Sequence, residues 1–304
     1  MDGIINVYKE KGFTSFDVVA ILRKITGTKK TGHTGTLDPD AEGVLPVCIG
    51  KATKLADRLT DTDKQYKAVM LLGIRTDTQD ITGRVIQSMS REDFYGRIDI
   101  NTILSAFEHF TGDIMQIPPM YSAVKVGGVK LVDAARKGQQ IERSPRKITV
   151  YGYSDISYDA ENAEVSFTVS CSKGTYIRTL CEDIGNYLKI PACMKSLVRT
   201  MASSLVTDDA RTIEQIRAFA DEGRLSEILI PVDHMLKEYA PLTVKDASIK
   251  KIENGCRLYG DDIDGIIPKE PDAVYRMYDK DGNFYALYRY MPEQMCLKSD
   301  RMFI

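Results

Sequence analysis

Apolar positions recur along the chain with two periods, and the switches between them lay out its elements. Residues 4–8 read as a short strand, after which Thr14 or Ser15 caps a helix carrying Val18, Val19, Leu22 and Ile25 on one face until Gly27 stops it. From residue 27 to 43 no period survives: GTKKTGHTGTLDPDAEG holds four glycines and a proline, so a long polar loop is expected there. Residues 44–49 return as a buried strand, 52–59 as a helix and 65–73 as another strand. Residues 101–110 form a helix with Ile103, Leu104, Phe107 and Phe110 on one side. Residues 148–158 and 164–171 read as two strands turning at 159–162; the second alternates Val165, Phe167, Val169 and Cys171 with polar neighbours. The helix expected over 175–188 has its stripe on Ile177, Leu180, Cys181, Ile184 and Leu188, which leaves Arg178 off centre with no need of burial.

Strands and helices mix without strict β-α-β alternation, which predicts an α+β fold with a mixed, largely antiparallel central sheet flanked by helices. A helix over 213–219 and a bridge over 221–241 precede a small C-terminal unit. That unit is expected to hold a short helix near 247–253, two strands around the turn at 279–283 and a last strand over 295–304. The expected domains are therefore 1–235 and 240–304.

At 304 residues, with 43% hydrophobic and 28% charged side chains, the chain can bury a full core and is not disordered. No two of its six cysteines are two residues apart and it has three histidines, so zinc ribbons and fingers are excluded and free thiols expected. No secretory signal or membrane-length apolar run is present, and a cytoplasmic location fits best. The net charge of −2 hides an asymmetry: residues 1–200 hold 27 basic against 24 acidic side chains, residues 201–304 hold 14 against 19. Residues 121–150 carry seven basic side chains (Lys125, Lys130, Arg136, Lys137, Arg143, Arg146, Lys147) against Asp133 and Glu142. Any polyanionic partner would therefore be met by a local cationic strip and not by overall charge.

The polar loop holds the candidate chemistry. Residues 27–34 have the G-x-x-x-x-G spacing of a phosphate loop, but His33 stands where the lysine is needed and a helix precedes it, which argues against nucleotide hydrolysis. Asp38, just before Pro39 and among glycines, is held in extended backbone where other groups can approach, a geometry suited to an exposed nucleophile; the alternative is a simple turn hydrogen bond. His33 is open to acid, base, ligand or stacking roles, and Asp40 and Glu42 admit a two-carboxylate glycosidase.

The run GHTGTLDPDAEGVLPV at residues 32–47, continued by GKATK, resembles the catalytic motif of the TruB family of pseudouridine synthases. Three further blocks resemble the family in the same order: DKQYK with GIRTDTQD, QIPPMYSAVK, and CSKGTYIRTL. The resemblance implies a pseudouridine-synthase-like catalytic domain and a small PUA-like accessory RNA-binding domain at 240–304. It implies conversion of uridine 55 in the TΨC loop of tRNA to pseudouridine, with no cofactor and no metal. By resemblance Asp38 is the nucleophile, attacking either C1′ of the ribose or C6 of the ring. Arg178 pairs with Asp38 and keeps it ionised; Tyr66 stacks on the target ring and helps remove a proton; Leu197 lines the base pocket. His33 fills the stack left by the extruded base and is an RNA-binding residue, as is Lys9.

The basic stretch at 121–147 corresponds to a mobile insertion that closes on the T loop, with Gly127-Gly128 as a hinge and Lys125, Lys130, Arg143 and Arg146 as RNA contacts. Two departures stand out: Glu10 replaces the family's proline after Lys9, and the C-terminal unit carries no quotable motif. The expected protein is a monomer that binds the tRNA T-arm, with no membrane and no obligate protein partner. A tRNA-binding folding helper and a nucleosidase or glycosidase using Asp38 are the competing readings.

Overall fold

Ile4, Ile5 and Val7 are fully buried and make β1 (Gly3–Lys9) a core strand. Helix α1 (Ser15–Thr26) follows as the period predicts: Thr14 closes a capping box with Asp17, Gly27 ends the helix at φ 64°, and Val18, Val19 and Leu22 are buried. The next segment is not all loop. Residues 31–33 form a short strand, β2 (Thr31–His33), whose pairing with β3 (Glu42–Ile49) supplies the order that its composition lacks. This strand follows where a phosphate loop would need a helix, which removes the nucleotide reading. A 3-10 turn (Gly50–Leu55) and α2 (Ala56–Thr60) stand in place of the single helix over 52–59, and β4 (Lys64–Leu72) alternates as expected.

The hairpin β5 (Ile74–Thr76) and β6 (Val85–Ser88) and the short α3 (Arg91–Phe94) lead to α4 (Ile100–His109). Leu104 is 43% exposed because Ala106, three residues after Ile103, takes the inward position beside Phe107. After β7 (Gly112–Gln116) comes an excursion: hairpin β8 (Lys125–Val126) and β9 (Val129–Lys130), then α5 (Leu131–Arg136). The chain continues through β10 (Arg146–Asp159), β11 (Glu164–Cys171), α6 (Ile177–Leu188), β12 (Ala192–Ala202), β13 (Leu205–Val206) and α7 (Ile213–Asp221). Strand β12 shows no clean alternation: its register with β4 shifts between Met194 and Ser196 and between Arg199 and Met201, and it buries the charged Arg199.

The main sheet runs β1-β3-β12-β4-β11-β10-β7, with β2 on β3 and β13 on β12; within it β3 and β12 pair parallel and the other pairs are antiparallel. This is the α+β, mixed and largely antiparallel sheet expected. Met70, Phe107, Phe167, Leu180 and Ile184 form a core between the sheet and helices α4 and α6. Val18, Leu22, Leu45, Val47 and Ile216 form another where α1 and α7 cover the β1–β3 end.

The C-terminal unit has a five-stranded sheet in the order β15-β14-β16-β17-β18. Its elements are β14 (Ala240–Val244), α8 (Ile249–Glu253), β15 (Ile263–Asp264), β16 (Val274–Tyr278), β17 (Phe284–Met291) and β18 (Cys296–Met302). Val244, Ile252, Met277 and Tyr288 form its own core. The bridge over 221–241 is itself anchored: Val232, Met235 and Leu236 join Leu55, Leu59, Leu287 and Phe303 in one cluster that seats this unit on the main sheet. Arg58 pairs with Asp300 at 2.6 Å across the same junction.

The structure is a computed structural model describing residues 1–267 and 270–304; Pro268 and Lys269, inside the C-terminal unit expected from the sequence, lie outside the described residues. Among the described residues all six cysteines are free thiols, and no helix is long and apolar enough to cross a membrane.

Candidate active site

Asp38 lies on the loop between β2 and β3, and several side chains pin that loop. Ser15, the first residue of α1, grips Leu37 twice: its hydroxyl accepts from the Leu37 N–H at 2.9 Å and donates to the Leu37 carbonyl at 3.3 Å. Gly12 N–H and the Lys9 ammonium both donate to the Pro39 carbonyl, at 2.9 and 3.1 Å. Lys9 also donates to the carbonyls of Phe13 and Glu10 and has no exposure at all. The expected RNA-binding role of Lys9 is therefore corrected: its ammonium is consumed by three carbonyls and holds the Asp38 loop. Burial lowers its pKa to about 8, against the raising pull of Asp38, Glu42 and Asp40. Glu10 in place of the family proline is compatible with this arrangement, since Lys9 ends β1 and the Glu10 carbonyl faces its ammonium.

Arg178 is 5% exposed, contrary to the expectation drawn from the helix stripe. The face of α6 on which it sits is not solvent but the site itself. Its Nε lies 3.0 Å from Asp38 Oδ2, and Nη2 donates to Asp38 Oδ1 at 3.4 Å and to the Tyr121 carbonyl at 2.9 Å. Its Nη1 donates to the Thr78 carbonyl at 3.1 Å and lies 3.6 Å from Asp80 Oδ2. Asp80 is thus a second carboxylate of the site that the sequence pattern alone did not single out, although it closes the block GIRTDTQD. Burial pushes the Asp38 carboxyl up, Arg178 pulls it down, Asp80 pushes it up again, and the balance stays above the usual carboxylate range. The ion pair thus aims Asp38 and opposes, without cancelling, the effect of its pocket.

A cavity of about 500 Å³ opens over Asp38, enough for one nucleoside. Asp38 faces it with a side chain 39% exposed, alongside Leu37, Tyr66, Tyr176, Arg178, Leu197 and Arg199. Tyr66 is 9% exposed on β4 and Leu197 8% exposed on β12, diagonal to each other across a pairing that sets Leu197 opposite Ala68 and Arg199 opposite Tyr66. Burial raises the Tyr66 phenol and the charge of Arg199 pulls it down, the balance being upward. Tyr176 is held by a buried amide: Gln116 donates to its carbonyl at 3.1 Å and accepts from its N–H at 2.8 Å.

Cations rim the cavity. Arg146, Lys147, Lys64 and Lys173 line it, the last two not singled out from sequence. Burial lowers Lys64 to about 8, and its ammonium donates to the carbonyls of Thr60 and Thr62. Lys125 and Lys130 stand opposite each other on the exposed β8–β9 hairpin, with Gly127 and Gly128 making its tight turn at φ 57° and 84°. Arg143 is half-buried and donates to the Pro118 carbonyl at 3.0 Å, so part of its fork holds the base of this excursion and does not face solvent. His33 lies outside the cavity wall, half-buried, its ring edge-on to Phe16 at 5.5 Å. Its Nδ1 accepts from the Gly35 N–H, and burial and then Arg199 lower its pKa, which keeps the ring neutral and suited to stacking. Among the described residues no three His, Cys, Asp or Glu side chains are grouped to hold a metal ion.

The family described as "TruB family pseudouridylate synthase (N terminal domain)" matches residues 23–177, and "tRNA pseudouridylate synthase B C-terminal domain" matches 178–237. A protein of Lachnoclostridium phytofermentans named tRNA pseudouridine synthase B is 46% identical over the full length of both chains. One of Limosilactobacillus reuteri with the same name is 42% identical over 100% of this chain and 99% of its own. Among solved structures, a chain of a Cbf5-Nop10-Gar1 complex superposes with a TM-score of 0.73 at 25% identity, covering 99% of this chain and 85% of that one.

Proposed function

The chain belongs to the TruB family of pseudouridylate synthases, and on that premise we propose that it isomerises uridine 55 in the T-arm stem-loop of tRNA, with Asp38 as nucleophile. The observation that carries this reading is the Asp38–Arg178 pair, set at 3.0 Å in the wall of a cavity of nucleoside size. The reaction breaks the C1′–N1 bond and forms C1′–C5; N1 gains a proton, C5 loses one, and no electron leaves the molecule. An ionised carboxylate is therefore sufficient as covalent catalyst, whether it attacks C1′ of the ribose or C6 of the ring.

A base stacked in the T loop cannot reach a carboxylate set in the wall of a cavity, so the nucleotide is extruded into it. There Tyr66 stacks on the ring, placed to help remove the C5 proton, and Leu197 covers the opposite face. Arg178 holds the Asp38 carboxylate with one guanidinium edge and the Tyr121 carbonyl with the same Nη2, which ties the start of the basic excursion to the nucleophile. Lys125, Lys130, Arg146 and Lys147 meet the phosphates around the target, and His33 with Phe16 occupies the gap in the stack. The unit at 240–304 extends the RNA contact as an accessory domain of the 1–235 catalytic domain.

The test is a product assay on a T stem-loop transcript without added metal. Pseudouridine is expected at position 55 and nowhere else, mapped by chemical modification and primer extension. Free uracil would identify a nucleosidase, and tight binding with unaltered RNA a folding helper; either result overturns the reading.

A further inference from the structure

Arg199 heads the largest fully buried side chains among the described residues, at 1% exposure, and the isomerisation mechanism gives it no task. Its charge is met by neutral groups: Nε donates to the Val44 carbonyl at 2.7 Å and Nη2 to the Gly35 carbonyl at 3.2 Å, with Tyr66 its partner across the β4–β12 pairing. Taking a cation out of water without a carboxylate beside it carries a large desolvation cost, which an apolar side chain of the same volume avoids. A charge retained under those conditions calls for a local reason, and the geometry supplies one. Gly35 and Val44 are the two rims of the loop that carries Asp38, and Tyr66 is the direct cross-strand neighbour of Arg199 between β4 and β12. On its other side β12 lies so close to β3 that a Cβ on Gly43 would sit 2.2 Å from the Arg199 carbonyl oxygen. Both the backbone and the side chain of this one residue are therefore locked to the loop.

We propose that Arg199 is a positioning residue for the isomerisation: its guanidinium grips both rims of the Asp38 loop from the strand position directly across from Tyr66, holding phenol and carboxylate in one register while the detached base turns. This rests on the proposed roles of Asp38 and Tyr66. The guanidinium charge also opposes the upward push of burial on the phenol. Lysine at 199 keeps the charge but has no planar fork, so it cannot serve the two carbonyls with the same geometry.

The experiment compares wild type, Arg199→Lys, Arg199→Met, Tyr66→Phe and the Arg199→Lys/Tyr66→Phe double variant on a T stem-loop carrying tritium at C5 of uridine. Single-turnover tritium release, RNA dissociation constant and thermal midpoint are read for each. Arg199→Lys is expected to slow release on the order of tenfold with RNA affinity within threefold of wild type, and Arg199→Met to slow it further. In the Tyr66→Phe background, Arg199→Lys is expected to change the rate less than twofold. Losses that multiply in the double variant overturn the proposal, as does a weakened affinity with an unchanged rate. If Arg199→Met does not fold, the lysine variant and its double carry the comparison alone. Tyr66→Phe at the wild-type rate overturns the role of Tyr66 and this proposal with it. Absence of tritium release from wild type overturns the isomerase reading itself.

Discussion

Gly43→Ala tests how tightly the catalytic loop is seated on the sheet. Gly43 has φ 105°, and a Cβ built there lies 2.2 Å from the Arg199 carbonyl oxygen and 2.8 Å from its nitrogen. The backbone conformation alone costs about 1–3 kcal/mol for a residue with a side chain. Relieving the overlap moves β3 away from β12 by roughly 1 Å. That weakens the parallel pairing of Glu42 with Val198 and of Gly43 with Arg199, for about 1 kcal/mol per hydrogen bond broken. The sum is about 3–5 kcal/mol, a large share of the 5–15 kcal/mol typical of a whole domain. Gly27→Ala is the matched control: its φ is 64°, also left-handed, but a Cβ there meets nothing within 4 Å. It should cost about 1 kcal/mol. Thermal melts followed by circular dichroism should show a midpoint lower by about 10 °C for Gly43→Ala and by about 3 °C for Gly27→Ala. Equal shifts would refute the claim that close backbone approach, and not left-handed geometry alone, requires glycine at 43.

Asp38 is needed ionised and its pKa sits above the ordinary range, so the rate should be full above that pKa and fall as pH drops through it. Arg178 opposes the rise, and Arg178→Gln should therefore move the acid limb of the single-turnover rate to higher pH; an unmoved or downward limb would contradict the pairing. Gln116→Leu removes both bonds to Tyr176 and strands its N–H and carbonyl, costing about 2–4 kcal/mol by denaturant titration and slowing the reaction. A stability loss under about 1 kcal/mol would show that the amide clamp is not needed. Replacing Lys125 and Lys130 with alanine should weaken T-arm binding and reduce the slope of log affinity against log salt by roughly one for each phosphate left without its lysine. An unchanged slope would place the hairpin away from the RNA.

Much of this was legible in the order of residues, for physical reasons that also mark where legibility ends. Thr14, the apolar face at 18, 19 and 22, and Gly27 are local signals, and α1 follows them residue for residue. The loop carrying Asp38 was visible because glycines and proline broke every period. Strand β2 was not, because three residues acquire strand geometry only from their partner β3. Strand β12 was hidden by its two register shifts and by a buried arginine that reads as a surface residue. Arg178 and Lys9 failed the same way: both are charged side chains whose burial depends on groups remote in sequence, Asp38 lying 140 residues from Arg178 and Pro39 30 residues from Lys9. Periodicity treats charge as exposure, and at an active site that equation fails.

The central claim is that the Asp38 carboxylate is the nucleophile. The direct measurement is single-turnover conversion of a T stem-loop by wild type and by Asp38→Asn, an isosteric change that removes the charge while keeping the shape of the Arg178 contact. The account predicts that the variant binds the RNA within threefold of wild type and forms pseudouridine at position 55 on the order of a thousandfold more slowly, if at all. Pseudouridine formed at the wild-type rate by Asp38→Asn would contradict it.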